Sequence, residues 1–481
     1  MVIDSGVQPF EHLVRAARAA PNAPALVTAS RDLTFAQLLD HARKVAAMLR
    51  ESGVRPGDVV AAQVSGMLAP VFTLMLFHEA AVGCVIPGEV GAERADEVDW
   101  VITVEPEPGF PPERTIIVDN NWLARAAAMS SDIEPHAFPS RDALCRIAYS
   151  SGTTGAPVGV PLTVRYLDQR TDSAGAAWVR ATPFMSMIGI GSVVGLLTLN
   201  WCMAHGQTYL CPGTAPESIG IARRAGVAAL KGSPAQWAEV VRELARTGQR
   251  LECVGVALIA GAVSSRRLEA DIVALTTARV VRSYASTEAG PAAVQTAQGS
   301  DPLDAGRVVE GVEVQAVDPE SGEVLPAGAE GLLRIRREGL PATYCGAARA
   351  SLRDGWFYPG DVGVISADGR LRLSGRSSEV LNVGGVKVDP AELDSLLHDA
   401  ALVDDAVAFG FTNQQGITAL ALAALCPPGT DFTELVQAVT RMTGGVRPEV
   451  VHRVDAIQRT PTGKVDRLAL AGNLEAAIAA L

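Results

Sequence analysis

The chain has 481 residues, of which 48 % are hydrophobic and 20 % charged. One hydrophobic core rarely serves that length, so two or more domains are expected and extensive disorder is excluded. A net charge of -12 gives no reason to expect nucleic acid as a partner, and it leaves a small anionic substrate open.

Seven Cys are scattered along the chain with no CxxC pair, and the His residues are equally dispersed. Buried free thiols in a reducing compartment are the simpler account, and a His/Cys metal site is disfavoured. The first residues include Asp4 and Glu11 and carry no basic, apolar leader, so a signal peptide is not expected and a cytoplasmic location is.

Taken in order, the chain opens with helical spacing. Thr34 and Gln37 can form a capping box, and Phe35, Leu38, Leu39, Ala42, Val45, Ala46 and Leu49 follow at helical intervals. Gly53 should end that helix, and Pro56-Gly57-Asp58 should turn into a strand at Val59 to Ala62. Ser65 to Val82 is apolar enough for a buried helix, with Cys84 to Pro87 as the next strand. Asp99 to Val118 reads as strand pieces around a Pro/Glu-rich loop. Val227 to Leu230, Val254 to Ile259 and Val280 to Tyr284 are short apolar segments separated by helical material, the pattern of a covered parallel sheet. The uncharged run Thr182 to Pro216 is broken by Ser186, Ser192, Thr198, Asn200 and Gln207, so it reads as a buried pocket wall and not as a membrane span.

After Ser300 the texture becomes β-rich, with strands expected at Val308 to Val317, Gly331 to Arg336 and Asp361 to Ile365, and a hairpin turn at Asp368-Gly369. Residues 300–376 read as a small β-rich subdomain. Gly375 to Val380 is a polar boundary. Beyond it Asp389, Pro390 and Glu392 announce a helix with a buried stripe of Leu393, Leu396 and Leu397. Strands at Ala406 to Phe409 and Ala419 to Cys426, a helix at Phe432 to Met442 and a final helix complete a compact α/β unit.

The stretch most suggestive of chemistry is Tyr149-Ser150-Ser151-Gly152-Thr153-Thr154-Gly155-Ala156-Pro157-Val158-Gly159-Val160. Its three glycines leave amides uncovered and its four hydroxyls add neutral donors, a combination suited to anionic oxygens and equally compatible with a flexible surface loop. It is not the GxxxxGK[ST] pattern, and Val158 stands where a cation would be useful. Glu288, at an expected strand end, can hold a divalent cation or be a plain surface carboxylate. Asp361 can accept two hydrogen bonds from a ribose diol or close an Asx turn. Arg376 and Lys464 are the candidate cations.

In order and spacing, these segments resemble the adenylate-forming superfamily: acyl-CoA synthetases, aryl-acid and amino-acid adenylation domains, and luciferases. The phosphate loop, Ala260 to Ser264, the aromatic-x-x-Thr-Glu motif Tyr284-Ala285-Ser286-Thr287-Glu288, the ribose motif Gly355 to Asp361, the hinge Gly375 to Val388 and the terminal motif Pro461-Thr462-Gly463-Lys464-Val465-Asp466-Arg467 cover roughly residues 30 to 470. The resemblance implies an α/β fold: a large N-terminal domain of two α/β subdomains plus the β-rich piece (1–376), and a small mobile α+β C-terminal domain (377–481) carrying the catalytic lysine. It implies ATP and Mg2+ as cofactors, acyl-AMP as intermediate, and thioester formation on coenzyme A or on the phosphopantetheine of a carrier protein.

Carried over residue by residue, Ser150, Ser151, Gly152, Thr153, Thr154, Gly155, Gly261, Ala262, Tyr284 and Ala285 would contact the nucleotide. Thr287 would touch phosphate and Glu288 would hold Mg2+. Asp361, helped by Arg376, would bind the ribose, and Lys464 would contact the carboxylate and α-phosphate. Gly384 and Gly385 would approach the pantetheine arm, with Ser378 at the hinge. Two departures stand out: Val158 replaces the usual phosphate-loop lysine, and Pro359 replaces the usual hydroxyl residue before Gly360-Asp361.

The acid pocket is expected from Phe184, Met185, Met187, Ile188, Gly189, Lys231, Gly232 and Ala260. No Asp stands where amino-acid-activating domains place one for the α-ammonium, and a desolvated ammonium without a partner is costly. An apolar aryl or medium-sized acyl acid is therefore expected. Lys231 can pair with a second acidic group on the substrate, or lie exposed at the surface. No carrier domain is evident before Leu481, so a freestanding ligase is expected. The alternatives are delivery of the acyl-AMP to an amine or other nucleophile, and a nucleotide-binding scaffold with weakened activity.

Overall fold

The computed structural model describes residues 8–86, 97–106, 109–150, 158–175, 182–297, 301–341, 344–345, 351–377, 381–383, 386–400, 402–403, 405–413, 415, 417–459 and 465–479. Within them the chain forms a large N-terminal part built on two extended sheets and a small C-terminal part with a sheet and core of its own.

The capping box at Thr34 forms as expected: Thr34 Oγ1 accepts from Gln37 N at 3.3 Å and Gln37 Oε1 accepts from Thr34 N at 2.9 Å. The helix Phe35–Ser52 that it starts ends at Gly53, whose φ of 109° places it in the left-handed region. Beside it runs a six-stranded sheet in the order Thr115–Ile117, Trp100–Thr103, Val59–Gln63, Val82–Cys84, Leu144–Ser150, Val158–Thr163. All its pairings are parallel except the last, a hairpin joined by the phosphate-type loop. The strand expected at Cys84 to Pro87 ends at Cys84, having begun at Val82, because the helix before it stops at His78.

The uncharged run resolves into three elements. Phe184–Ser186 is a strand, Val193–Ala204 a helix and Tyr209–Leu210 a second short strand. The helix is buried on nearly every face and packs against Pro9–Ala19 and Val164–Gly175, so it is core and not the wall of a pocket. Among the described residues no helix is long and apolar enough to cross a membrane.

The second sheet has twelve strands. Phe184–Ser186, Ala229–Gly232, Val256–Ala260 and Arg279–Ser286 are parallel, each after the first reached through a covering helix. From Gly290–Gln295 onward the pairing is antiparallel. Asp304–Val308 bonds on one side to Gly290–Gln295 and on the other to Arg370–Arg376. The β-rich segment therefore extends the parallel sheet through shared ladder hydrogen bonds.

The C-terminal part sets the sheet Asp405–Thr412, Thr418–Leu425, Val450–Val454 between Pro390–Ala400 and Thr433–Met442 on one side and Arg467–Ala479 on the other. Leu393 and Leu397 enter its core as expected, whereas Leu396 is 39 % exposed. Three leucines at i, i+3 and i+4 span more of the helix than one packed partner covers, and Leu396 falls on the open edge. All seven Cys are free thiols, five of them buried.

Candidate active site

Parallel strands deliver their carboxyl ends to one edge of a sheet, where loops leave the ladder and side chains become available to ligands. Here Val256–Ala260 is followed by Gly261-Ala262, and Arg279–Ser286 by Thr287-Glu288. A cavity of about 800 Å³ opens at that edge. Its N-terminal wall includes Ala262, Tyr284, Thr287, Glu288, Asp361 and Arg376. Its opposite wall comes from the C-terminal part, with Asp389, Asp394, His398, Arg459 and Arg467.

The N-terminal wall is tied together by hydrogen bonds across distant segments. Tyr284 Oη donates to Asp361 Oδ2 at 2.5 Å, and Arg376 Nε donates to Asp361 Oδ1 at 2.9 Å. Asp361 and Arg376 are cross-strand partners in one hairpin, so the guanidinium is fixed beside the carboxylate by register. Burial, together with the Asp361 charge, raises the Tyr284 hydroxyl well above the usual phenol range, which keeps it a donor at neutral pH. Gly360, at φ 82°, makes the turn into Asp361 that a residue with a Cβ adopts only with strain.

Glu288 is buried, and Tyr344 Oη donates to its Oε1 at 3.0 Å. Tyr344 is itself 3.0 Å from Ser351 Oγ. Tyr166 Oη donates to the Thr287 carbonyl at 3.2 Å, and Arg337 Nη1 donates to the carbonyls of Ala289 at 2.9 Å and Pro291 at 3.0 Å. The Thr287-Glu288-Ala289 turn is thus held from both flanks. None of Tyr166, Arg337 and Tyr344 is marked by sequence spacing. They come from a helix, a strand and a connecting segment that only the fold brings to this turn.

A buried carboxylate aimed at a cavity is a suitable hard-oxygen ligand for Mg2+ when phosphate oxygens and water complete the shell. Among the described residues there is no group of three or more His, Cys, Asp or Glu that could form an all-protein metal cage. One carboxylate is what a metal shared with a nucleotide needs.

The phosphate-type loop from Ser151 to Pro157 lies outside the described residues, as do Ser378, Gly384, Gly385 and Lys464. The frame of the loop is described. Ser150 pairs with Val158 in the hairpin register. Val158 is buried in the core of the N-terminal part, which accounts for an apolar residue at that position. At Gly159 an added Cβ would come within 2.8 Å of Ile147 and 3.1 Å of Cys345, and Cys345 N donates to the Gly159 carbonyl at 2.8 Å. The loop's exit glycine therefore serves close packing.

The candidate acid-pocket residues divide between the two faces of the second sheet. Met185 and Met187 point with Leu230 and Ile259 toward Trp237, in the core under the covering helices. Gly232 belongs to that packing: a Cβ there would meet Met187 Cε at 2.4 Å. Phe184, Ile188 and Ala260 lie on the other face with Leu258 and Val281. Gly189 is exposed, and its carbonyl accepts from Ser192 Oγ at 2.7 Å. Lys231 is not a surface lysine; it is 6 % exposed. The Ser-Pro that follows it caps the helix Pro234–Thr247, with Gln236 as the box partner.

The C-terminal wall carries half-buried carboxylates. Asp394 is hydrogen-bonded to Arg467 and accepts from Ala408 N at 2.6 Å. Burial pushes its carboxyl up to about 7 despite the guanidinium beside it. Asp389 Oδ1 caps the helix Pro390–Ala400 through Ala391 N at 2.9 Å, while Oδ2 is buried against Gly375 with no hydrogen-bond partner among the described residues. A Cβ at Gly375 would sit 2.0 Å from that oxygen, so the glycine at the domain boundary leaves room for the carboxylate. Asp399 Oδ1 accepts from Arg267 N at 3.0 Å, joining the two parts across the cavity rim.

The model of the AMP-binding enzyme family matches residues 13–75 and 75–345. A fatty acid–[acyl-carrier-protein] ligase, ScoC, of Streptomyces coeruleorubidus is 26 % identical over 93 % of this chain and 92 % of its own. A feruloyl-CoA synthase of an Amycolatopsis species is 26 % identical over 94 % of this chain and 96 % of its own. Among solved structures, the anthranilate CoA ligase AuaEII with anthranoyl-AMP superposes with a TM-score of 0.83 at 21 % identity, covering 98 % of both chains. The o-succinylbenzoate coenzyme A synthetase of Bacillus subtilis with ATP and magnesium superposes with a TM-score of 0.80 at 19 % identity, covering 95 % of this chain and 98 % of its own. The chain belongs to the AMP-binding enzyme family, within the adenylate-forming superfamily, and is an AMP-forming acid–thiol ligase. Its fold is the mixed α/β architecture of that superfamily, a large N-terminal domain followed by a small C-terminal one.

Proposed function

We propose that the protein activates an apolar carboxylic acid, aryl or medium-sized acyl, as its acyl-AMP, and then transfers the acyl group to the thiol of coenzyme A or of a carrier protein's phosphopantetheine. In the first step an oxygen of the acid attacks the α-phosphorus of ATP and pyrophosphate leaves. In the second the thiol attacks the acyl carbonyl and AMP leaves. The observation that carries this reading is the N-terminal wall of the cavity. There Tyr284, Asp361 and Arg376 form one hydrogen-bonded set, which would suit a ribose, next to the braced turn of Thr287 and Glu288.

In this reading residues 1–376 bind ATP and the acid, and residues 377–481 swing to bring first Lys464 and then the Gly384-Gly385 segment to the reaction centre. Glu288 would hold Mg2+, which when bound offsets phosphate charge. Ser150 to Gly155, Gly261, Ala262 and Ala285 would line the nucleotide. The sheet face bearing Phe184, Ile188, Leu258 and Ala260 would receive the acid, and its apolar side chains support an aryl or acyl group.

Acid-dependent exchange of pyrophosphate into ATP tests the first step across a panel of aryl and acyl acids. Exchange with at least one apolar acid is expected, and its absence with all of them overturns the reading. Mass analysis after adding coenzyme A or a pantetheinylated carrier protein identifies the acceptor.

A further inference from the structure

Lysine is rare in this chain, occurring only at 44, 231, 387 and 464. Lys231 is at the third position of the strand Ala229–Gly232. Its neighbours across the ladder are Ser186 on one side and Leu258 on the other. Strand alternation puts its side chain on the face of Phe184, Leu258, Ala260 and Val281, opposite the face packed on Trp237. That face is apolar, and Ser186 is the polar residue beside it, itself buried.

The ammonium has no hydrogen-bond or ion-pair partner among the described residues. No ionisable group on the flanking strands faces it, and burial alone lowers it to about 8. An ammonium taken out of water without a counter-charge is unfavourable, and a structural role would be served better by an apolar side chain at this position. The strand that ends at Thr287-Glu288 lies two places away in the sheet, a separation of about 10 Å at ordinary strand spacing. A flexible four-carbon stem can place the charge anywhere along much of that span.

We propose that Lys231 is a specificity-determining residue that receives a second anionic oxygen group on the acid, so that the preferred substrates are acids with an apolar body and a distal carboxylate. This rests on the proposed acid-activating function and names its substrate class. One carboxylate is activated at Thr287-Glu288, the apolar body lies along the Phe184–Ala260 face, and the distal oxygens take the hydrogen bonds that Lys231 lacks among the described residues.

The test compares pyrophosphate exchange for paired probes: linear and aryl dicarboxylic acids, each against its monomethyl ester, with hydroxy-substituted acids as a third arm. The expected result is a tenfold or greater preference in kcat/KM for the diacid over its ester, expressed in KM. It should vanish in Lys231→Met and be partly kept in Lys231→Arg. Equal use of diacid and ester, or a preference that survives Lys231→Met, overturns the proposal, as does a preference for the hydroxy acids over the diacids. If Lys231→Met does not fold, the wild-type pH profile decides: the preference should fall as pH rises through about 8, where the free ammonium is lost, and a flat profile overturns it. Exchange with esters but no diacid preference defeats this inference alone, whereas no exchange with any acid defeats the underlying function as well.

Discussion

The two walls of the cavity are built differently. On the N-terminal wall Asp361 is held by Tyr284 and by Arg376, a cross-strand partner, and all three belong to one continuous sheet. On the C-terminal wall the carboxylates of Asp389 and Asp394 are half-buried and held by local contacts. One oxygen of Asp389 has no hydrogen-bond partner among the described residues, and Asp394 is pushed up to about 7. The first wall is tied together by the chain's own hydrogen bonds, and preorganised donors and acceptors act most effectively. The second touches the first through few polar links, such as Asp399 with Arg267, and has a core of its own. A wall tied by cross-sheet hydrogen bonds facing a wall with a core of its own suits the proposed reaction of two steps.

The largest effect should come from Lys464, the lysine proposed to serve the first step. Replacing Lys464 with Ala should lower acyl-AMP formation by about 10²–10³-fold, the usual cost of losing a group aimed at developing charge, while thioester formation from supplied acyl-AMP falls far less. Half-reaction kinetics check this, and equal losses in both would overturn that role. On the N-terminal wall, Glu288→Gln should reduce adenylation by about 10²-fold and raise the Mg2+ concentration needed for half-maximal rate, read by a magnesium titration of pyrophosphate exchange. Asp361→Asn should raise KM for ATP about tenfold or more, in line with losing hydrogen bonds to a charged group. Tyr284→Phe, which removes only one support of Asp361, should raise it by less than that. ATP-dependent initial rates separate the two.

The smallest effect concerns stability. Because the native Asp394 carboxyl titrates near 7 and an unfolded one near 3.8, the native state holds a proton that the unfolded state has lost between those values. Stability from this group is therefore fullest below about pH 4 and declines as pH rises toward 7. Asp394→Asn should flatten that decline, with a change of a few degrees in the difference between melting temperatures at pH 5 and pH 7. Calorimetric melts at the two pH values read it directly. An unchanged slope would place the pH dependence elsewhere.

Much of the architecture was legible from local chemistry. The Thr34 capping box, the Gly53 stop, the parallel strands around 230, 257 and 281 and the Asp368-Gly369 hairpin all arise from signals within a few residues. Leu396 shows the limit of helical spacing, since three apolar positions in a row of turns do not reveal which one the neighbouring element leaves open. The run from Thr182 to Pro216 shows another: lack of charge indicated burial but did not reveal that Val193–Ala204 would be a core helix.

The sequence by itself determined the order of the nucleotide-type motifs and the separation of a C-terminal unit, because turns, caps and apolar periods are properties of short segments. Tertiary structure alone decided that Tyr344 meets Glu288, that Tyr284 meets Asp361 and that Val158 belongs to the core, because those contacts join segments far apart in the chain. It also decided the environment of Lys231. A lysine before Gly-Ser-Pro reads as a surface residue until the strand is flanked on both sides, and only then does its ammonium lie in an apolar face without a counter-charge among the described residues.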